Sequence, residues 1–192
     1  MDNAAIARTV RAWVRDFVIA EGLCPFARRP YEADSIRYSV SDAGDEATLI
    51  EDLSAELTLL AETSEVETTL LIHPRVLEEF DAYNQFLDLA DGLIQTSGLE
   101  GVIQVASFHP DYQFAGTRPG DAENYSNRSP FPMLHLIREA SIEAAVDGHP
   151  DVDGIPERNV AHLNAIGAAE LERRRQALLA AGVGINRRVP LE

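Results

Sequence analysis

The sequence predicts an α/β protein with a three-stranded, mostly parallel sheet of β-α-β-α-β order, flanked by helices and followed by a helical C-terminal third. Two observations predict this class. Three segments have strand character, at residues 35–41, 66–73 and 102–109. Two segments of helical periodicity, residues 46–62 and 75–92, separate them. Helical connections of this length are typical of parallel β-α-β units.

The first element is an amphipathic helix over residues 4–20, where apolar side chains recur at i, i+3 and i+4, and Gly22 ends it. Residues 35–41 alternate apolar and polar side chains, which predicts a half-buried strand. The helix over residues 46–62 buries a row of leucines. The strand that follows ends on His73, which precedes a proline.

The helix predicted over residues 75–92 ends at Gly92, and the third strand then ends on His109, again before a proline. About twenty residues of loop follow, which is long for a compact domain and usually means a functional or mobile segment. We predict a helix over residues 130–146, capped by Ser129. Two further helices are predicted, one opening at Ile155-Pro156 and one over residues 168–181.

Composition narrows the class of protein. A chain of 192 residues, 45% of them apolar, predicts a single α/β domain over residues 1–192. The net charge of −16 argues against nucleic acid and anionic membrane surfaces as partners. No apolar run reaches the roughly 20 residues of a spanning helix, and the amino terminus has no signal pattern. A cytoplasmic protein is therefore expected, and its oligomeric state is left open.

All sixteen basic residues are arginine. A pyridoxal-phosphate enzyme needs a lysine for its Schiff base, and a P-loop nucleotide site needs a lysine for the phosphates, so both classes are excluded. The single cysteine, Cys24, excludes a disulfide framework, and it follows a helix end, where nothing lowers a thiol pKa. The cofactor is unknown at this stage, and a divalent metal is one option.

Two histidines stand where strands end. Because proline restricts the preceding residue to extended geometry, His73 and His109 each occupy the last extended position of a strand. If these strands are parallel neighbours, both imidazoles lie at the carboxyl edge of the sheet, where ligand crevices form in open α/β sheets. They would then be catalytic acid/base groups. The alternative is that each imidazole only bonds a nearby carbonyl.

His135 and Glu139 are four residues apart in the helix predicted over residues 130–146 and would share one face of it. His135 is therefore a third candidate for catalysis. A metal held by His73, His109 and Glu139 is a further hypothesis. The alternative interpretation is an ordinary solvated helix face.

The long loop carries a candidate anion site. Arg128, Asn124 and Asn127 precede the predicted helix start at Ser129, where unpaired backbone N–H groups favour an anion. Arg118 and Tyr112, from the same loop, are further candidates for binding substrate. In the alternative, the asparagines only shape turns, and Arg128 pairs with Asp121 or Glu123.

Four strings, LCPFA, FHPDYQFAG, ENYSNRSPFPMLHLIREAS and IPERN, closely resemble a bacterial family of about this length, the domain-of-unknown-function family numbered 1415. The likeness runs from about Trp13 to Asn159. It implies no activity, cofactor or functional residue for this chain, so any function has to be inferred from the residues themselves.

The leading hypothesis is a small cytoplasmic enzyme that acts on an anionic small molecule. His73 and His109 would transfer protons or hold a metal, and Arg128 with its asparagines would hold the anion. The alternative is a non-catalytic module that binds a small ligand or a partner protein through the loop over residues 109–130. An enzyme requires the histidines to face a cavity, whereas a binding module does not.

Overall fold

The computed structural model describes residues 1–148 and 150–184. Within them, seven α-helices surround one four-stranded mixed sheet. The strands are Ile36–Val40 (β1), Thr68–Ile72 (β2), Ile103–Phe108 (β3) and Met133–Arg138 (β4). The helices are Asn3–Trp13 (α1), Arg28–Glu32 (α2), Glu46–Glu62 (α3), Phe80–Thr96 (α4), Glu139–Asp147 (α5), Ile155–Ile166 (α6) and Ala168–Gly184 (α7). A π-helical segment, Val14–Ile19, extends α1, and a 3-10 helix spans Ala122–Ser126.

The strand order is β1-β2-β4-β3, with β1 and β2 parallel and β4 antiparallel to both of its neighbours. The three segments predicted as strands are strands of this one sheet. The expectation of a three-stranded, mostly parallel sheet was wrong, because β4 lies between β2 and β3. The α/β class and the helical C-terminal part were predicted as observed.

The helix predicted over residues 130–146 was wrong in its first half. Residues 133–138 form β4, and helix α5 begins only at Glu139. β4 is a central strand, and Met133, Leu134 and Leu136 are fully buried between the two helical layers. A strand buried on both faces reads as a continuous apolar run, which periodicity alone cannot distinguish from a buried helix.

Helices cover both faces of the sheet. On one face, α3 and α4 pack Leu53, Leu57 and Phe86 against Leu71 and Leu134 of the sheet. On the opposite face lie α1, the π-helical segment, α6 and α7. None of the helices in the described part of the chain is long and apolar enough to cross a membrane.

The connection from β2 to α4 lies at the edge of the sheet where β2 ends. The predicted helix over residues 75–92 begins later than expected, at Phe80. The preceding residues form a tight loop in which Leu77 is left-handed, with φ of 59°. A leucine rarely adopts this conformation, so its surroundings must hold it there.

Candidate functional site

The two predicted strand-end histidines lie at the same edge of the sheet. His73 follows β2 and His109 follows β3, and β4 begins between them because it runs antiparallel. Both residues have 0% of their surface exposed. Tyr83 of α4 lies between them, with ring centroids 5.8 Å from His73 and 5.1 Å from His109. The edge therefore carries a buried cluster of two imidazoles and a phenol.

The hydroxyl of Tyr83 joins two strands at this edge. It donates to the Met133 carbonyl at 2.9 Å and accepts from the Phe108 amide at 2.9 Å. Burial raises the pKa of Tyr83, so the phenol stays protonated. Through one side chain, α4 is thus fixed to the start of β4 and the end of β3.

His73 is a neutral imidazole with one unused nitrogen. Its Nδ1 donates to the Val76 carbonyl at 3.0 Å, because a carbonyl can only accept. Nε2 is buried and has no partner among residues 1–148 and 150–184. Burial lowers the pKa of His73 to about 4, so the ring is uncharged near neutral pH.

His109 uses both of its ring nitrogens. Nε2 donates to the Leu77 carbonyl at 3.2 Å, and Nδ1 accepts from the Asp111 amide at 3.0 Å. The pKa of His109 is lowered as well, mainly by burial. His73 and His109 thus bond successive carbonyls of the loop that contains the left-handed Leu77. These contacts match the alternative interpretation, in which each imidazole bonds a nearby carbonyl, and a catalytic role stays untested.

His135 does not join this cluster. It lies in the middle of β4, paired with Leu70 and Ala106, on the face covered by α1. Its Nε2 is 2.7 Å from the Thr68 hydroxyl, which itself donates to the Leu136 carbonyl at 2.6 Å. Nε2 therefore donates to Thr68. Although part of the residue reaches solvent, desolvation lowers the pKa of His135 to about 4.

The hypothesised metal ligands are not together. Met133 pairs with Phe108 at the edge that carries His73 and His109, whereas Glu139 follows the opposite end of β4. A six-residue strand spans roughly 20 Å, so Glu139 cannot share an ion with the two histidines. Within the described ranges, no group of three or more His, Cys, Asp or Glu side chains could hold a metal.

The asparagines of the long loop are engaged by the loop itself. Asn124 is fully buried, and its Oδ1 accepts from the Phe114 amide at 3.0 Å and the Thr117 hydroxyl at 2.8 Å. Its Nδ2 donates to the Arg118 carbonyl at 2.8 Å. Asn127 donates from Nδ2 to the Ser107 carbonyl at 3.0 Å. Both amides therefore shape the loop, as the alternative interpretation proposed.

Two other residues predicted to bind substrate are held in different ways. Arg118 has an exposed side chain, and its backbone is fixed, because its amide donates to Asp121 at 2.7 Å and its carbonyl accepts from Asn124 at 2.8 Å. Tyr112 packs its ring between Phe80, at 5.2 Å, and Phe114, at 4.9 Å. It thus connects the loop to the first turn of α4.

Arg128 is held by carbonyls rather than by acids. Its Nε donates to the Tyr112 carbonyl at 3.0 Å and its Nη2 to the Pro119 carbonyl at 2.7 Å. The guanidinium also lies over the Tyr125 ring, 4.7 Å from its centroid. The helix start expected beside it was wrong, because Ser129 donates to the Phe131 carbonyl at 2.6 Å and a strand follows.

Arg128 lines a small, partly open cavity that the sequence did not predict. Its volume is about 10 Å3. Its lining residues, which define what we call the arginine cavity, are Trp13, Phe17, Tyr125, Arg128, Leu171, Arg175 and Leu178. Trp13 is 3% exposed, and within the described part of the chain its Nε1 has no hydrogen-bond partner. Two arginines and a tryptophan with an unpaired N–H donor thus line the same cavity.

A carboxylate already binds the donors beside the arginine cavity. Glu172 accepts from Arg175 through two bonds of 2.9 Å and from the Tyr125 hydroxyl at 3.1 Å. The pKa of Glu172 is lowered to about 2, mainly by the hydrogen bonds from Arg175. These side chains come from segments about 50 residues apart, so no local spacing relates Arg175 to Arg128. The run of three arginines in α7 was the only available signal.

Cys24 carries no sign of activation. It is partly buried, and desolvation raises the pKa of its thiol. A thiolate nucleophile would need the opposite shift.

Residues 5–173 match a known family, described as protein of unknown function (DUF1415). No curated protein and no solved structure matches the chain.

Proposed function

The chain belongs to the DUF1415 family of proteins of unknown function, and because membership names no activity, we propose from its own residues that it binds a small anionic molecule at the arginine cavity. The observation that carries the proposal is that Trp13, whose buried Nε1 has no partner among the described residues, lines the same cavity as Arg128 and Arg175. A buried N–H left without an acceptor costs roughly 1–3 kcal/mol. An anion oxygen would remove that cost.

The chemistry of the lining favours a carboxylate or a phosphate. Guanidinium groups bind these anions with paired, charge-assisted hydrogen bonds. The aromatic rings of Phe17 and Tyr125 and the side chain of Leu171 shield the site from water, which strengthens such bonds. The chain has a net charge of −16, but the two arginines that line the cavity place positive charge there.

A ligand requires the cavity to open. At about 10 Å3, the cavity holds roughly one water molecule. Arg175 is paired with Glu172, three residues away on the same helix, so separating this pair breaks no ion pair between helices. The Glu172 side chain is 38% exposed and its carboxylate can turn to solvent, whereas Arg175, at 16%, stays within the protein. A ligand anion would replace the Glu172 carboxylate on Arg175.

Binding fits the geometry better than catalysis at the histidines. His73 and His109 have no exposed surface, and neither of them lines the arginine cavity. They also lie under α4, whereas the arginine cavity lies under α1 and α7. A ligand in the cavity would therefore not touch the imidazoles.

The proposal is tested by calorimetric titration of the full chain with inorganic phosphate, sulfate and citrate. We expect saturable binding of at least one of them. Arg175→Gln should weaken it by about tenfold or more, the equivalent of roughly 1.4 kcal/mol. Arg173→Gln is a matched control, because Arg173 makes the same kind of i,i+3 pair, with Glu170, outside the cavity. Equal affinities for the two variants, or no binding of any anion, would refute the proposal.

A histidine-based enzyme acting on such an anion is the second candidate, and one observation favours it. Nε2 of His73 is buried without a described partner, as a base that receives a substrate proton would be. The reaction would require the first turn of α4, with Phe80 and Tyr83, to move away. Diethyl pyrocarbonate distinguishes the cases: an opening site predicts carbethoxylation of His73 in native protein at a rate approaching that of His162, whose side chain is 44% exposed. Modification of His73 only after denaturation would exclude this candidate.

A further inference from the structure

Acidic residues are concentrated in one third of the chain. Residues 42–102 contain fifteen of the 32 acidic residues and a single basic residue, Arg75. Helices α3 and α4 lie in this stretch, and neither contains an arginine. The two helices cover one face of the sheet, so that side of the protein presents a strongly negative surface.

A shallow, solvent-open groove of about 800 Å3 lies along α3 on this negative surface, with Leu93 as its lining residue from α4. Its apolar lining comes from Ile50, Ala55 and Leu59 of α3 and Leu93 of α4, and its acidic lining from Glu51 and Glu62. We call this surface the α3–α4 groove. No basic side chain lines it among the described residues.

An exposed leucine extends the apolar part of this surface. Leu89 is 53% exposed and lies one helical turn before Leu93, on the same side of α4. Apolar side chains that are contiguous at the surface and bordered by charges mark interaction sites more often than isolated ones do.

Arg138 of the sheet, which reaches the end of α3, is already bound. Arg138 donates from Nη2 to the Thr63 carbonyl at 2.7 Å and also bonds the carbonyls of Leu60 and Val66. Its guanidinium thus satisfies the carboxyl end of α3. The acids that line the α3–α4 groove make no ion pair among the described residues: neither Glu51 nor Glu62 has a cation within 4.0 Å.

We propose that the α3–α4 groove binds a basic amphipathic helix of a partner protein. The apolar side of that helix would lie along Ile50, Leu59 and Leu93, and its arginine or lysine side chains would meet Glu51 and Glu62. An amphipathic helix that places its apolar face in a groove between two helices is a recurring mode of recognition. Because the groove is lined by acidic side chains, charge complementarity requires the partner helix to be positively charged.

A second copy of this chain fits the groove less well. Most described arginines already pair with carboxylates of their own chain, including the three consecutive ones in α7. A second molecule would also bring the same excess of negative charge. Association of two such surfaces is opposed by like-charge repulsion.

The test uses a fluorescein-labelled synthetic peptide of about 18 residues, five helical turns, with leucines along one face and arginines elsewhere. Fluorescence anisotropy should show saturable binding to the full chain that weakens as salt screens the charges. Two comparison peptides should bind at least about tenfold more weakly. One replaces arginine by glutamate, and the other has the same composition with the leucines spread around the helix.

Variants locate the binding surface. Leu93→Arg should weaken binding of the basic peptide about tenfold or more, and Leu89→Arg is a second variant in case the first fails to fold. Val160→Arg is the matched control, because Val160 is 42% exposed on α6, away from the groove, and its substitution adds the same charge. The proposal is overturned if the control weakens binding as much, if the scrambled peptide binds equally well, if no peptide binds, or if light scattering shows a dimer that Leu89→Arg dissociates and Val160→Arg does not.

Discussion

The rings of His73 and Tyr83 stack with an interplanar angle of 16° and centroids 5.8 Å apart, and neither residue has exposed surface. The Tyr83 hydroxyl bridges β3 and β4, while Nδ1 of His73 bonds the loop that leads to α4. The pair therefore fixes α4 to the carboxyl edge of the sheet. At neutral pH we expect both groups to serve the fold.

Tyr83→Phe should lower the free energy of unfolding by about 1–3 kcal/mol, because it leaves a buried carbonyl and a part-buried amide without a partner. Urea unfolding of the variant and the wild type measures the difference. Tyr112→Phe is the control, since its hydroxyl has only a 3.4 Å contact with Ser107. Equal losses in the two variants would show that the bridge contributes nothing particular.

Acid should destabilise the protein in a defined window through His73. Its pKa is about 4 in the folded state, against the ordinary value of 6.5. Above pH 6.5 the ring is neutral in both the folded and the unfolded chain. As the pH falls from 6.5 towards 4, the unfolded chain binds a proton that the folded chain does not, so the free energy of unfolding decreases. For His73 the loss is of the order of 3 kcal/mol. The depressed pKa of His135 adds a loss in the same window.

His73→Asn tests this assignment, because the asparagine amide can still donate to the Val76 carbonyl but does not titrate. We expect lower stability than the wild type at pH 7 and a shallower fall between pH 6.5 and 4. Urea unfolding at several pH values gives both quantities. A slope identical to that of the wild type would mean that other groups cause the acid sensitivity. The carboxylates of Glu170 and Glu172, whose pKa values are lowered from 4.5 to about 2, lose their contribution mainly between pH 4.5 and 2 and overlap only the acidic end of this window.

Arg128→Lys should lower the free energy of unfolding by about 1–2 kcal/mol, since an ammonium cannot bond the Tyr112 and Pro119 carbonyls as the planar guanidinium does. The sequence alone suggested nearly unchanged stability if Arg128 held a ligand. Arg118→Lys is the control, because that side chain is exposed and makes no hydrogen bond within the described residues. Thermal unfolding measures the stability of both variants. If Arg128→Lys is as stable as the wild type, the loop does not depend on this residue.

Much of the fold was predictable because three strands and most helices have a clear period and clear ends. The strand-ending His-Pro pairs predict that His73 and His109 lie at one sheet edge if their strands are parallel, and β2 and β3 do run parallel on either side of β4. β4 could not be predicted, since both of its faces are buried and α5 continues directly from it. Because β4 lies between β2 and β3, the strand order could not be predicted either.

The candidate site was predictable only in part. Arg128 was singled out, but its partners Trp13 and Arg175 come from the two ends of the described chain and meet only through tertiary packing. Sequence spacing carries no information on such a meeting. The asparagines were predicted to bind substrate, with turn-shaping as the alternative, and in the structure their amides bond the backbone of the loop and of β3.

The most direct test of anion binding uses the single tryptophan of the chain. Its indole N–H gives one signal in a nitrogen–proton correlation spectrum and is the donor that the proposal assigns to the anion. On titration with phosphate, sulfate or citrate, we expect this proton to move downfield and saturate, as it does when an N–H gains an acceptor, and Arg175→Gln should shift the titration to higher concentration. An indole signal that stays in place while calorimetry reports binding would put the anion elsewhere and contradict the account.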